Sequence, residues 1–162
     1  MPVLSSTESV GTIKSLGHSV LPAGWLLCDG SAINRTLYGK LFSFIATNWG
    51  DGDGSTTYNV PDLRGYFLRG QSSGTGNDPD AGSRYAISGG NTGDMVGSYE
   101  SHAMQQHYHY YGAFAQRAGG GLGVDQGVNF GTTYITDTVY GANVSGETRP
   151  LNANVTYMIK YL

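Results

Sequence analysis

Charge, cysteine and long apolar runs are all scarce in this chain of 162 residues. Lys, Arg, Asp and Glu make up only 13% of it, about half the usual share, and the formal net charge is -3. The chain therefore has no basic excess for binding nucleic acid, and no nucleic-acid partner is expected. No apolar run approaches the roughly 18 residues of a membrane helix, and the stretch MPVLSSTESVG lacks the layout of a secretory signal, so we expect no membrane insertion.

Cysteine occurs once, as Cys28 in the apolar run WLLCDG. A single cysteine excludes an intrachain disulfide. Nothing near it in the sequence would lower the pKa of its thiol, so we expect a buried and unreactive side chain.

Short alternating segments and one helical stripe predict a mostly β, α+β fold with one short helix. We expect strands that include residues 25–28 and 155–161. Asn34 is a predicted N-cap for a helix over 34–47, whose apolar stripe comprises Leu37, Leu41, Phe42 and Ile45. The expected core contains Trp25, Leu41, Phe42 and Ile159.

Glycine is abundant, at 26 of 162 residues, and dominates the middle of the chain. Between Tyr110 and Gly146 there are nine glycines and three charged side chains. We therefore predict three parts: residues 1–70, a glycine- and tyrosine-rich insertion over 71–146, and a closing strand within 147–162. The tyrosines favour an ordered recognition loop over a disordered linker.

Four oxygen-bearing side chains match EF-hand positions 1, 3, 5 and 12, namely Asp51, Asp53, Ser55 and Asp62. Thr56 stands at position 6, where the sharp turn of that loop requires glycine, and position 12 carries Asp instead of Glu. We therefore favour a solvated loop over a calcium site.

The stretch MQQHYHYY places His107 and His109 one residue apart. In an extended strand these side chains share one face about 7 Å apart, which is a usable spacing for metal ligands. The pair alone leaves three possibilities open: a metal held within one chain, a metal shared by several chains, or no metal. His18 and His102 are expected to have structural or surface roles.

The sequence around these histidines lacks the signatures of known enzyme sites. The Glu that a cupin-type site needs is missing after HYHYYG, and no nucleophile elbow, P-loop or H-E-x-x-H occurs. We expect no catalytic activity, with a metal-dependent enzyme as the remote alternative.

The order of motifs in residues 11–70 and 147–161 resembles the phage tail-collar family. The stretches that carry the resemblance are LPAGWLLCDG, a Y-x-x-L-F segment, GDGSTTYNVPDLRG and NVTYMIKYL, with Tyr58 and Trp49 as small departures. The resemblance implies a compact collar-type fold in which the motif residues are structural: Trp25, Asp29, Gly30, Pro61, Asp62, Arg64 and Gly65.

The same resemblance implies a homotrimer with a metal on its threefold axis, because tail fibres carry His-x-His pairs contributed by three intertwined chains. His107 and His109 from three chains would give six imidazoles, which suits iron first and zinc second. The alternative is that both are ordinary surface or hydrogen-bonding histidines.

In function, the resemblance implies a tail-fibre or receptor-binding tip protein of a phage or phage-like particle, located in the virion tail after synthesis in the host cytoplasm. The expected partners are other tail proteins and a bacterial surface receptor, either polysaccharide or outer-membrane protein. Aromatic side chains in the insertion suit receptor contact, namely Tyr108, Tyr110, Tyr111, Phe130, Tyr134 and Tyr140. The alternative is a purely structural collar or connector that never contacts the host.

Overall fold

A computed structural model describes residues 8–103 and 150–162. The chain divides into two compact units, one formed by Met1–Ser101 with Leu151–Leu162 and the other by His102–Pro150. We call the first unit the frame. The frame includes residues 71–101, which belong to the predicted insertion by sequence.

Six regular elements and a short 3-10 turn build the frame. In chain order they are β1 (Ile13–Leu16), β2 (Trp25–Leu27), β3 (Ala32–Asn34), α1 (Gly39–Ile45), β4 (Thr57–Asn59), the 3-10 turn Ala81–Ser83 and β5 (Thr156–Lys160). The predicted mostly β fold with one short helix is confirmed for the described residues. No helix in residues 8–103 and 150–162 is long and apolar enough to cross a membrane.

The C-terminal strand is the middle strand of a three-stranded antiparallel sheet, in the order β1, β5, β2. Ile13 and Leu26 flank Ile159 in register, and Ile159 is fully buried. Residues from the two ends of the chain therefore depend on each other for their backbone hydrogen bonds. A second sheet pairs β3 with β4 and places Ile33 opposite Tyr58.

The helix is shorter than predicted. It spans Gly39–Ile45, while Asn34 ends β3 and caps a turn that precedes the helix. Asn34 Oδ1 accepts hydrogen bonds from the amides of Thr36 and Leu37, both at 2.9 Å. The predicted N-cap was therefore wrong: the helix has Tyr38 at its N-cap position without a side-chain hydrogen bond, and Leu37 is 76% exposed instead of packing on the helical stripe.

Two helical side chains, Leu41 and Ile45, reach the core, and Phe42 packs against its edge. The core cluster comprises Val10, Cys28, Leu41, Ile45, Tyr58, Val60, Leu63 and Ile159. Trp25 is also buried, but it lies opposite Lys160 in register and so faces away from Leu26 and Ile159. The Lys160 ammonium lies 5.4 Å from the centre of the Trp25 ring, a cation–π contact on the face of the sheet opposite to Ile159.

Candidate functional site: the Asp29–Asp62 corner

The motif residues meet at one corner of the frame. Backbone pairing between Asp29 and Asp62 joins the chain after β2 to the PDLRG segment. The Gly30 amide donates to the Pro61 carbonyl and the Leu63 amide donates to the Cys28 carbonyl, each at 3.1 Å. The corner thus forms by hydrogen bonds between two segments that lie about thirty positions apart in the sequence.

Asp62 and Arg64 form a two-point ion pair at this corner. Arg64 Nε donates to Asp62 Oδ1 at 2.8 Å, and Nη2 donates to Oδ2 at 2.7 Å. Hydrogen bonding from Arg64 lowers the pKa of the Asp62 carboxyl, and the same contact raises the pKa of the guanidinium. Because both groups bind each other, the geometry suits locking the PDLRG turn and leaves the pair poorly placed for acid–base chemistry.

Gly30 is required by the close approach of the two segments. Its φ is +78°, and a Cβ at this position would lie 3.0 Å from Asp62 Cβ. Asp29 closes the turn that follows, because its Oδ1 accepts hydrogen bonds from the Ser31 amide and hydroxyl. Gly65 has almost the same φ, +79°, but has open space around it.

Tyr99 supports the corner from the predicted insertion, and sequence reasoning missed it. Its ring is 4% exposed, and its hydroxyl lies 3.2 Å from both the amide nitrogen and the carbonyl oxygen of Asp62. Burial raises the pKa of this phenol. Its ring packs edge-on against Trp49 and Tyr66. Its only sequence signal was an isolated aromatic in a polar stretch.

Cys28 lies beneath the corner and is 1% exposed, which confirms the predicted burial. Burial, with smaller contributions from the charges of Asp29 and Asp62, raises the pKa of the thiol to about 12. The thiolate is therefore almost absent at neutral pH, and the side chain serves as a small apolar core residue.

In the loop with EF-hand spacing, backbone amides of the loop itself donate hydrogen bonds to the Asp53 carboxylate. Asp53 Oδ1 accepts hydrogen bonds from the amides of Ser55, Thr56 and Thr57 at 2.7 to 3.0 Å. A hydrogen bond from the Thr56 hydroxyl, together with these backbone bonds, holds the pKa of Asp53 well below its usual range. Across residues 8–103 and 150–162, no three His, Cys, Asp or Glu side chains group as metal ligands.

The predicted metal ligands His107 and His109 lie outside the described residues. So do the predicted receptor-binding side chains Tyr108, Tyr110, Tyr111, Phe130, Tyr134 and Tyr140. His18 and His102 are described, and both are exposed. The structure therefore brings the predicted motif residues Asp29, Gly30, Pro61, Asp62 and Arg64 together, whereas Trp25 lies apart from them, opposite Lys160 in the three-stranded sheet.

Comparison with known proteins places this corner in a family. The family model of the Phage Tail Collar Domain matches residues 11–68, which contain it. Protein RhiB of Rhizobium leguminosarum bv. viciae is 34% identical over 168 residues, covering 99% of this chain and 74% of RhiB. Short tail fiber protein gp12 of Enterobacteria phage T4 is 26% identical over 192 residues, covering 97% of this chain but 36% of gp12.

A third relative matches a smaller part. The uncharacterized protein StfE of Escherichia coli (strain K12) is 32% identical over 88 residues, covering 54% of this chain and 36% of StfE. The family model and these relatives agree with the motifs seen in the sequence. The chain belongs to the phage tail collar domain family.

Proposed function

We propose that this protein is a tail-fibre-type component of a phage or phage-like particle, and that it attaches the particle to a bacterial surface. The observation that carries the proposal is the extent of the likeness to the short tail fiber protein gp12. That likeness covers 97% of this chain, whereas the family model covers residues 11–68. It therefore extends beyond the frame into the tyrosine-rich segment.

The frame suits a protein that presents a variable segment, namely the one between Ser101 and Leu151. β5 follows that segment in the sequence and lies between β1 and β2 in the sheet. The segment can therefore change in composition while the two flanking parts of the chain still complete one fold. Its Tyr, Gly, Asn and Thr content is typical of binding loops, where rigid aromatic rings supply contact area and small polar residues supply adaptable hydrogen bonds.

A purely structural collar or connector is the competing function. Under that alternative the chain would contact other tail proteins and never the host. Both functions place the protein in the virion tail, and neither requires catalysis. Binding to bacterial envelopes separates them.

The test uses the full chain and envelope preparations from a panel of bacterial strains. We expect selective binding to some strains, and weaker binding after Tyr134→Ala or Tyr140→Ala. Phe44→Ala is the matched control, because Phe44 is a 62% exposed aromatic side chain of the frame. Binding that is absent on every strain would favour the structural collar, whereas selective binding that is unchanged in both tyrosine variants would exclude these two side chains as receptor contacts.

We further propose that His107 and His109 from three chains hold one metal ion, iron first and zinc second. Ligation needs neutral imidazoles, so protons compete with the metal as the pH falls below about 6.5. Elemental analysis of protein purified without a histidine tag should give about one metal per three chains at neutral pH, and none after His107→Ala with His109→Ala. A monomer in sedimentation under metal-replete conditions would contradict both the trimer and the shared metal.

A further inference from the structure

Four charged side chains converge in the second half of the frame: Arg69, Asp78, Arg84 and Glu100. Arg84 Nη1 lies 2.7 Å from Glu100 Oε2 and 3.2 Å from Asp78 Oδ2. Arg69 completes the group at 3.3 Å from Asp78 Oδ1 and 3.5 Å from Glu100 Oε2. We call these four residues the charge cluster. Two positive and two negative side chains leave it close to neutral.

Arg84 is the centre of the charge cluster and its better buried cation. Its side chain is 15% exposed, against 47% for Arg69, and that of Asp78 is 5% exposed. Arg84 also donates from Nε to the Ser98 hydroxyl at 3.0 Å and from Nη2 to the Ser98 carbonyl at 3.2 Å. One guanidinium therefore binds three positions of the chain. Because Arg84 and Asp78 are poorly solvated, removing one partner leaves the other charge uncompensated and should cost more than breaking a surface ion pair.

The neighbouring backbone reinforces the same junction. The Tyr85 amide donates to the Tyr99 carbonyl at 2.9 Å, and the Tyr99 amide donates to the Tyr85 carbonyl at 2.8 Å. Tyr99 in turn supports Asp62, so the segment that holds Glu100 is attached to the motif corner on one side and to the charge cluster on the other.

Glu100 is the second residue before His102, where the second unit of the chain begins. The charge cluster thus acts on the last residues of the frame before the chain enters that unit. We propose that the charge cluster anchors this exit point, and that Arg84 is a positioning residue for the segment that follows. The effect on binding rests on the proposed function, whereas the anchoring itself does not.

Arg84→Met tests the anchor, because methionine keeps the apolar stem and removes every charged hydrogen bond. We expect amide hydrogen exchange at Tyr85 and Tyr99 to become at least about tenfold faster, given the strength of hydrogen bonds to charged groups. Exchange at Ile159, in the central strand of the sheet, should stay the same. Glu100→Gln removes one charge at a more exposed site and should give a smaller change in the same direction if Arg84→Met does not fold.

Asp94→Ala is the matched control in the same part of the frame. Asp94 accepts hydrogen bonds from the Ser72 amide at 3.0 Å and the Gly74 amide at 2.9 Å. Its loss should loosen that loop and leave exchange at Tyr99 unaltered. Envelope binding should fall several-fold in Arg84→Met, recover in part in Arg84→Lys, and stay unchanged in Asp94→Ala.

Two results would overturn the proposal. One is unchanged exchange at Tyr85 and Tyr99 in both Arg84→Met and Glu100→Gln. The other is an equal loss of protection and of envelope binding in Arg84→Met and Asp94→Ala, which would mean that general loop stability matters and the exit point does not. If the unmodified protein binds no envelope, the proposed function fails, while the exchange experiment still decides the anchor.

Discussion

Replacing Gly30 with alanine probes the corner directly, and Gly65 offers a matched control in the same motif. Both residues have a left-handed backbone, with φ of +78° and +79°. They differ in their surroundings, because a Cβ on Gly30 would lie 3.0 Å from Asp62 Cβ and 3.3 Å from Asp62 Oδ2, whereas nothing lies within 4 Å of one on Gly65. The pair therefore separates backbone strain from crowding.

The strain is common to both variants. A residue with a Cβ costs about 1–2 kcal/mol in the left-handed region, and the loss of unfolded-state entropy on changing Gly to Ala is the same at both sites. Crowding is present only at Gly30, where Asp62 must shift. That shift weakens its exposed pair with Arg64, which contributes little, and the hydrogen bond from Gly30 to Pro61, worth about 1 kcal/mol. We expect Gly30→Ala to be more destabilising than Gly65→Ala by about 1 kcal/mol.

Urea unfolding followed by tryptophan fluorescence measures both variants. The urea concentrations at the unfolding midpoints should differ. The slopes of the free energy of unfolding against urea concentration should remain equal, since neither substitution changes the area exposed on unfolding. Free energies of unfolding of the two variants that agree within about 0.5 kcal/mol would refute the reasoning, because they would mean that the corner accommodates the added methyl group at no cost in stability. A larger effect at Gly65 would refute it more strongly.

Three further predictions concern the core, the acid limit and the thiol. Leu41→Ala should lower the free energy of unfolding by about 2–5 kcal/mol, and Leu37→Ala by less than about 0.5 kcal/mol, because Leu41 is fully buried and Leu37 is exposed. Equal losses of stability in urea unfolding would contradict the shortened helix. The lowered pKa of Asp62 contributes stability that is present above its unfolded pKa of about 3.9 and lost as the pH falls through the folded pKa. Asp62→Asn should therefore make the free energy of unfolding fall less steeply as the pH is lowered into the acid range. An unchanged acid dependence would exclude this contribution. With a pKa of about 12, Cys28 should react with thiol reagents at pH 8 only as the protein unfolds, and rapid labelling in the absence of denaturant would contradict its burial.

Local sequence signals predicted the strands better than the helix. The expected strands over 25–28 and 155–161 appear as Trp25–Leu27 and Thr156–Lys160, the first from a short apolar run and the second from alternation. The helix over 34–47 begins only at Gly39, because Asn34 pairs with Thr57 of β4 in the second sheet and the four residues after it form a turn. That partner strand lies in a stretch of Gly, Asp and Ser, where the composition predicts only turns.

Contacts between distant residues account for what the sequence could not reveal at the corner. The motif residues were predicted to be structural, but the role of Tyr99 depends on a hydrogen bond to a residue 37 positions away. Periodicity describes which side of an element a residue faces and carries no information on which partner it meets. Trp25 illustrates the same limit, since its burial was predicted while the face of the sheet on which it lies follows from its pairing with Lys160.

The position of β5 predicts how the frame would respond to a change in the length of the segment that precedes it. Because β5 pairs with both β1 and β2, the sheet is completed only after the chain has returned from the segment between Ser101 and Leu151. The entropy of closing a connection grows with the logarithm of its length, so doubling the length costs only about 0.6 kcal/mol. That is less than the loss of a single buried leucine side chain, about 2–5 kcal/mol. Changes in segment length should therefore affect the stability of the frame less than one substitution in its core, provided that the residues on either side of the segment keep their contacts.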